Sequence, residues 1–264
     1  MLKFATLLAA SLLTSALCLA DGPVEIIAHR GASFDAPENT ISSVKLAWEQ
    51  GADGCEFDLH LTQDGKIIAC HDDNTKKTAG VDKKIVDTLF DDLRQLDVGS
   101  WKFPAFKGEK MPSFEEILAV VPPGKKIYIE VKCGPEIVPE LLRQLKASSL
   151  QPKLTPVICF NAKVIAAVKQ QRPDLPAYLL SDLKEGKTAE SLIAKAKEVK
   201  ADGLDLKAGP ELDQTFADKV RAAGLRLDVW TVNDVALAKR MAAIGVQGIT
   251  TDRPQWLREQ MSKQ

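Results

Sequence analysis

His29-Arg30-Gly31, Glu56-Phe57-Asp58 and His71-Asp72 bring two imidazoles, a guanidinium and a spaced carboxylate pair into one short stretch of chain. The sequence has only three histidines, and two of them bracket the acidic pair. Imidazole changes charge near neutral pH and can take or give a proton in turnover. Carboxylate oxygens hold hard divalent cations, and the arginine fork matches phosphate. Together these types point to metal-assisted chemistry on an anionic substrate.

The geometry follows from spacing. Cys55 to Thr62 alternates polar and apolar residues as a half-buried strand does. Glu56 and Asp58, two apart on it, share one face. The strand runs into Asp64-Gly65, a favoured two-residue hairpin loop. With that loop, Gln63 faces Lys66, Asp58 faces His71 and Cys55 faces Asn74. An ordinary solvated hairpin would carry the same turn. Like charges at one strand end repel unless a cation or basic group compensates, which favours a cation.

Strands are expected at 24–28, 54–61, 126–132, 155–160, 176–180, 202–206, 226–231 and 247–251. Helical patterns run from Asn39 to Gln50, Glu136 to Ala147, Ala162 to Gln171, Ser191 to Lys200, Glu211 to Ala223 and Asp234 to Ala243. Asp234 suits a first helical turn, and Gly224 and Gly245 suit helix ends. Eight parallel strands with crossover helices predict a closed (β/α)₈ TIM barrel, with 67–71 as an extra antiparallel hairpin arm. An open doubly wound sheet is the alternative, but His29-Arg30-Gly31 stands where a dinucleotide fingerprint would. Residues 72–112, after His71, form an insertion at the barrel mouth, too long for an ordinary connection. Its Trp101, Phe103 and Phe106 would either touch a bound substrate or pack the insertion down.

Residues 1–20 read as a signal peptide cut before Asp21, leaving 21–264 as one domain exported to the periplasm or beyond. The apolar run is too short for a membrane anchor, and lipidation at Cys18 is the lesser reading. Of 35 basic and 36 acidic residues the leader holds only Lys3, so the mature chain is near neutral and offers no nucleic-acid surface. Cys55, Cys70, Cys133 and Cys159 remain; small core residues are the favoured role, and no disulfide is assigned. The pattern sets no oligomeric state.

Ala28-His29-Arg30-Gly31, Pro37-Glu38-Asn39-Thr40, Glu56-Phe57-Asp58, Thr62-Gln63-Asp64-Gly65 and His71-Asp72 resemble, in order and spacing, the glycerophosphodiester phosphodiesterase family. Ile129-Glu130-Val131-Lys132, Trp230-Thr231-Val232-Asn233 and Thr251-Asp252-Arg253-Pro254 stand where that family has similar segments. One departure is Phe34-Asp35, where many members carry a glycine followed by an aromatic. The resemblance implies a small-molecule glycerophosphodiester substrate. It also implies attack by a glycerol hydroxyl, giving a cyclic phosphate that water opens. Direct attack by metal-activated water would use the same residues.

In a barrel the chemistry collects at the C-terminal strand ends. There Glu56, Asp58 and Glu130 would hold calcium or magnesium. His29 and His71 would serve as acid and base, and Arg30 and Lys132 would face the phosphate. Lys132 as a plain ion-pair partner of Glu130 is the blander reading. Trp230 and Phe160 suit walls of the substrate pocket. His60 is expected at the surface or behind the site, and Glu38 and Asn39 as helix-capping residues, with orientation of the loop bearing His29 as a second role for Asn39. A lysophospholipid substrate and a non-catalytic phosphate- or glycerol-binding barrel are the competing functions.

Overall fold

The computed structural model describes residues 22–184 and 186–263, so the leader expected over 1–20 lies outside the described residues. The strands are β1 (Glu25–Ala28), β2 (Gly54–Leu61), β3 (Ile67–Ala69), β4 (Lys126–Val131), β5 (Val157–Cys159), β6 (Ala177–Ser181), β7 (Gly203–Lys207), β8 (Arg226–Trp230) and β9 (Gly248–Thr251). β1 pairs in parallel with both β2 and β9, and this closes eight parallel strands into a (β/α)₈ barrel. The open-sheet alternative is thereby removed. β3 stands outside the ring, antiparallel to the far end of β2.

Helices span Ile41–Glu49, Val138–Ala147, Ala162–Gln171, Ala189–Glu198, Gln214–Ala222, Val235–Ala243 and Pro254–Ser262. A further helix, Phe114–Ala119, precedes β4. The sequence pattern anticipates all but that one and the last, which Pro254 opens from its first turn. Asp234 is the N-cap itself, accepting from the Leu237 N–H, rather than a first-turn residue. Gly224 and Gly245 have φ of +76° and +83°, the left-handed conformation that ends a helix.

Alternation along the strands divides the molecule into two environments. Phe57, Ile129, Leu179, Leu204, Val229 and Ile249 point outward into the main apolar layer beneath the helices. The inward set is far more polar. Its lower part is a closed floor in which Arg226 donates to Asp228 at 2.8 Å and to Glu25 at 2.6 Å. Tyr128 Oη donates to Asp228 at 3.1 Å. Each buried charge here has a partner, the condition for keeping it ionised in a low dielectric.

The hairpin departs from the expected register by one residue. Leu59 pairs with Ala69 and Leu61 with Ile67, so Asp58 faces Cys70, whose N–H donates to the Asp58 carbonyl at 3.0 Å. A two-residue loop of this kind needs positive φ at both positions, and among Asp64 and Gly65 only Gly65 has it (φ +72°). Asp64 instead accepts from Thr62 Oγ1 at 2.7 Å and from the Phe90 N–H at 2.9 Å, which favours a three-residue loop over 63–65. His71 lies beyond the last paired residue and still turns toward the mouth. The ladder never reaches Cys55, so its expected pairing with Asn74 does not form.

Residues 72–112 form short helical turns around their own apolar cluster of Ile85, Leu93, Val98 and Met111, packed on Ile68 and Cys70. Lys77 grips Glu38 at 2.7 Å, Lys102 donates to the Ser33 carbonyl at 2.8 Å and Ser42 donates to Glu109 at 2.8 Å. The insertion is thus fastened to the loop that carries His29. Trp101 and Phe103 stay largely exposed and do not line the central cavity. All four described cysteines are free thiols; Cys55, Cys70 and Cys159 are buried.

Candidate active site

His29, Arg30, Glu56, His71, Glu130, Lys132, Phe160 and Trp230 all line one cavity of 180 Å³ at the C-terminal end of the barrel. Asp58 lies just beneath it, 1% exposed. Residues scattered over some two hundred positions therefore meet because most lie on, end or follow a parallel strand, while His71 is brought in by the antiparallel arm β3.

Glu56, Asp58 and Glu130 offer one oxygen each within 4.8 Å of one another. Glu56 Oε1 and Asp58 Oδ1 are buried without a hydrogen-bond partner among the described residues. Burial, then the Asp58 and Glu130 charges, pushes Glu56 well above the ordinary carboxylate range. Burial and Asp58 push Glu130 up to about 7. Burial opposes ionisation of Asp58 too, but Arg30 and Lys132 hold it below its ordinary value. Two buried carboxylates with orphaned oxygens and a half-buried third, an all-oxygen donor set, fit a hard divalent cation.

Asn39 clamps the centre of this group, a role its position before a helix does not reveal. Its Oδ1 accepts from the Asp58 N–H at 3.0 Å and its Nδ2 donates to Asp58 Oδ2 at 2.8 Å. Thr40, not Glu38 or Asn39, caps the following helix in a box with Ser43. Glu38 binds Arg30 at 2.9 Å as well as Lys77. Arg30 and Asn39 both adopt positive φ, +55° and +58°, an uncommon conformation outside glycine. Gly31, next to Arg30 and also at positive φ (+80°), lies so close to Ser43 that a Cβ would meet its Oγ at 2.4 Å.

Positive charge flanks the carboxylates. Arg30 Nε is 3.3 Å from Asp58 Oδ2, a charge contact without hydrogen-bond alignment. Lys132 Nζ is 2.7 Å from Glu130 and 3.6 Å from Asp58, so it is an ion-pair partner that also faces the cavity.

Each cavity histidine is held through Nδ1 by a carboxylate: His29 by Asp252 at 2.6 Å and His71 by Asp72 at 2.7 Å. Burial opposes ionisation of Asp252, but hydrogen bonds from His29, Asn233 and Ser33 hold it at about 2. The hydrogen bond from His71 likewise lowers Asp72. An ionised carboxylate only accepts, so Nδ1 of each ring carries a hydrogen and Nε2 is the atom left to take or give the catalytic proton. Burial lowers His71 below the usual imidazole value, with Arg30 and Lys132 adding to it against the pull of Asp58. His60 is buried, not superficial, and its Nε2 contacts the His71 carbonyl at 3.4 Å from behind.

Phe160 and Trp230 meet edge to face at 5.6 Å on the rim. Sequence reasoning missed four contributors: the carboxylate partners Asp72 and Asp252, the Asn39 clamp and the cavity-lining Asp205. The dipeptide His71-Asp72 hinted at the first. The others depend on contacts between distant segments.

The comparisons agree with the geometry. Residues 29–256 match the model of the glycerophosphoryl diester phosphodiesterase family. The chain is 33% identical over 248 residues to a glycerophosphodiester phosphodiesterase of Bacillus subtilis, covering 86% of this chain and 83% of the relative. It is 31% identical over 240 residues to one from Caldanaerobacter subterraneus, covering 88% and 95%. An Oleispira antarctica phosphodiesterase, solved in complex with the product sn-glycerol-3-phosphate, matches with a TM-score of 0.84 at 28% identity. That alignment covers 91% of this chain and 98% of the other. A phosphoric diester hydrolase built on a closed barrel is the class that fold and site define. The chain belongs to the glycerophosphoryl diester phosphodiesterase family.

Proposed function

We propose that the protein hydrolyses glycerophosphodiesters to sn-glycerol 3-phosphate and an alcohol. In this reading Glu56, Asp58 and Glu130 hold one divalent cation, calcium or magnesium, and His29 and His71 are the acid–base pair. The observation that carries it is the pair of carboxylate-oriented imidazoles lining one cavity with the acidic triplet. When bound, the cation polarises a phosphoryl oxygen and offsets its developing charge.

Arg30 and Lys132 receive the remaining phosphoryl oxygens. The glycerol hydroxyl next to the ester loses its proton to Nε2 of one histidine as its oxygen bonds phosphorus. The bond to the alcohol breaks, and the other histidine, which enters the step protonated at Nε2, gives that proton to the departing oxygen. Water then attacks the cyclic phosphate with the roles exchanged: the bond from phosphorus to the attacking glycerol oxygen breaks, the first histidine returns its proton to that oxygen and the second takes one from the water, leaving both rings as they began. Phe160 and Trp230 wall the rim where the alcohol leaves. The leader at 1–20 completes the reading as an export signal to the periplasm, tested by fractionating cells that express the full chain.

The test is release of sn-glycerol 3-phosphate from glycerophosphocholine by the purified mature protein in calcium, magnesium or chelator. Cation-dependent release is expected, and none with any cation in folded protein would refute the reading. Asn39→Ala frees Asp58 from its clamp and is expected to weaken cation affinity about 10–100-fold, the usual cost of an outer-shell partner. Calorimetric titration of the cation checks this; unchanged affinity would make the clamp purely structural.

A further inference from the structure

Asp205, midway along β7, lines the cavity but has no part in the acid–base pair, the phosphate cradle or the acidic triplet. It is 1% exposed, and its Oδ1 has no hydrogen-bond partner among the described residues. An unsatisfied buried oxygen of this kind is destabilising until a ligand pairs with it. Its register neighbour on β8, Asp228, is fully engaged by Arg226 and Tyr128. The floor network thus satisfies one aspartate and leaves the other facing the cavity.

The strand order fixes what can reach it. Around the ring β7 lies opposite β2, four strands away in either direction. A phosphoryl group held from the β1, β2 and β4 side therefore directs one substituent toward Asp205 and its neighbours Ile158 and Leu180. The cavity is closed below by the Arg226 network, so that substituent has a fixed size. In glycerophosphodiesters the glyceryl part is constant and the alcohol varies. The exposed Phe160 at the rim suits the variable part.

We propose that Asp205 binds the terminal hydroxyl of the substrate's glyceryl group and thereby selects diesters in which that hydroxyl is free. The proposal rests on the phosphodiesterase reading above and deepens it. Burial, then Asp228 and Glu130, pushes Asp205 well above the ordinary carboxylate range. A carboxyl that keeps its proton both donates to and accepts from an alcohol. A diester acylated at the terminal position loses the hydroxyl's donor hydrogen and drives its chain against Ile158 and Leu180.

The experiment compares sn-glycero-3-phosphocholine with its analogue in which the terminal CH₂OH is CH₃, using mature protein loaded with calcium or magnesium. The analogue keeps the hydroxyl that attacks phosphorus. Wild type is expected to lose about 10–100-fold in kcat/KM on the analogue, because a buried polar group is left unpaired. Asp205→Ala should treat the two substrates alike, its loss on the natural one falling mainly in KM. Asp205→Asn, which still donates and accepts, should retain most of the discrimination. Wild type without discrimination, or Asp205→Ala discriminating as wild type does, would overturn the proposal. Thermal shifts with sn-glycerol 3-phosphate and its terminal deoxy analogue give a readout independent of turnover. If wild type hydrolyses neither diester, the phosphodiesterase reading falls. A wild-type binding preference lost in Asp205→Ala would still support Asp205, and its absence would overturn it.

Discussion

Glu56→Gln is expected to raise the thermal midpoint of the metal-free protein while abolishing both cation binding and turnover. Most substitutions at a 2% exposed residue destabilise, so the sign is diagnostic. Glu56 stands beside two other carboxylates, and two oxygens of the group lack a partner. A glutamine oxygen still accepts from the Arg30 N–H, the contact Glu56 Oε2 makes at 2.9 Å. Its amide hydrogens then meet the neighbouring carboxylates, whereas Glu56, pushed well above the ordinary carboxylate range, must either take up a proton on folding or keep a repelling charge. Satisfying such a group is worth about 1–3 kcal/mol, and each kcal/mol moves the midpoint by roughly 2–4 °C in a chain of this size. Added calcium or magnesium should raise the wild-type midpoint by linkage and leave the variant unmoved. Loss of a ligand should cost more than the roughly 10–100-fold attached to an outer-shell partner. A variant less stable than wild type in chelator, and still shifted by the cation, would remove the cation from this site.

A pH dependence follows with a definite sign. Glu130 titrates at about 7 in the folded protein against an ordinary 4.5. Between those values the folded state holds a proton that the unfolded state has lost, so metal-free stability contributed by this residue falls as pH rises. Cation affinity, which needs the ionised form, strengthens across the same window. The difference in midpoint between Glu130→Gln and wild type isolates the effect, since His60 and His71, both lowered by burial, are common to the two proteins. In chelator the variant should gain on wild type from about pH 4.5 to about 7. A difference that does not change with pH would contradict the raised value.

The barrel was legible because apolar alternation, crossover helices and glycine stops agreed at every level, and the strand-end rule then singled out residues that the structure gathers around one cavity. The hairpin register was not, because Asp64-Gly65 serves both two- and three-residue loops. Thr62 Oγ1 and the Phe90 N–H, the latter from the insertion, hold Asp64 in the longer loop. Asn39 was misread for a related reason. Asparagine before a helix ordinarily caps it, but here a positive φ turns the side chain onto a strand nineteen residues away. Asp252 closes a contact with His29 across 223 residues, which only barrel closure creates. Asp205 hid in an ordinary strand sequence, where nothing local distinguishes an inward aspartate from an outward one.

The two histidine–carboxylate pairs should respond unequally to removal of their carboxylates. His29→Ala and His71→Ala are each expected to lower kcat about 10²–10⁴-fold, the range for general acid–base catalysis. Asp252→Asn should come close to His29→Ala. Asp252 Oδ1 accepts from both His29 and Ser33 Oγ, and Oδ2 accepts from Asn233 Nδ2 at 2.6 Å. An amide group placed on either side therefore sets a donor against a donor. Facing His29, it also forces the tautomer whose Nε2 carries the hydrogen and cannot act as base. Asp72 is more exposed at 38% and has no such second pair of donors, so Asp72→Asn can rotate its oxygen toward Nδ1. Its loss should be only about tenfold, within the range for an outer-shell partner. Because His29 and Asp252 act as a unit, the double variant should lose little more than His29→Ala alone, whereas His29→Ala with Asp72→Asn should lose more nearly the product. Measuring kcat on glycerophosphocholine at saturating cation for the four single and two double variants decides it. Full turnover in Asp252→Asn, or additive losses within the His29–Asp252 pair, would mean that this carboxylate does not set the catalytic tautomer.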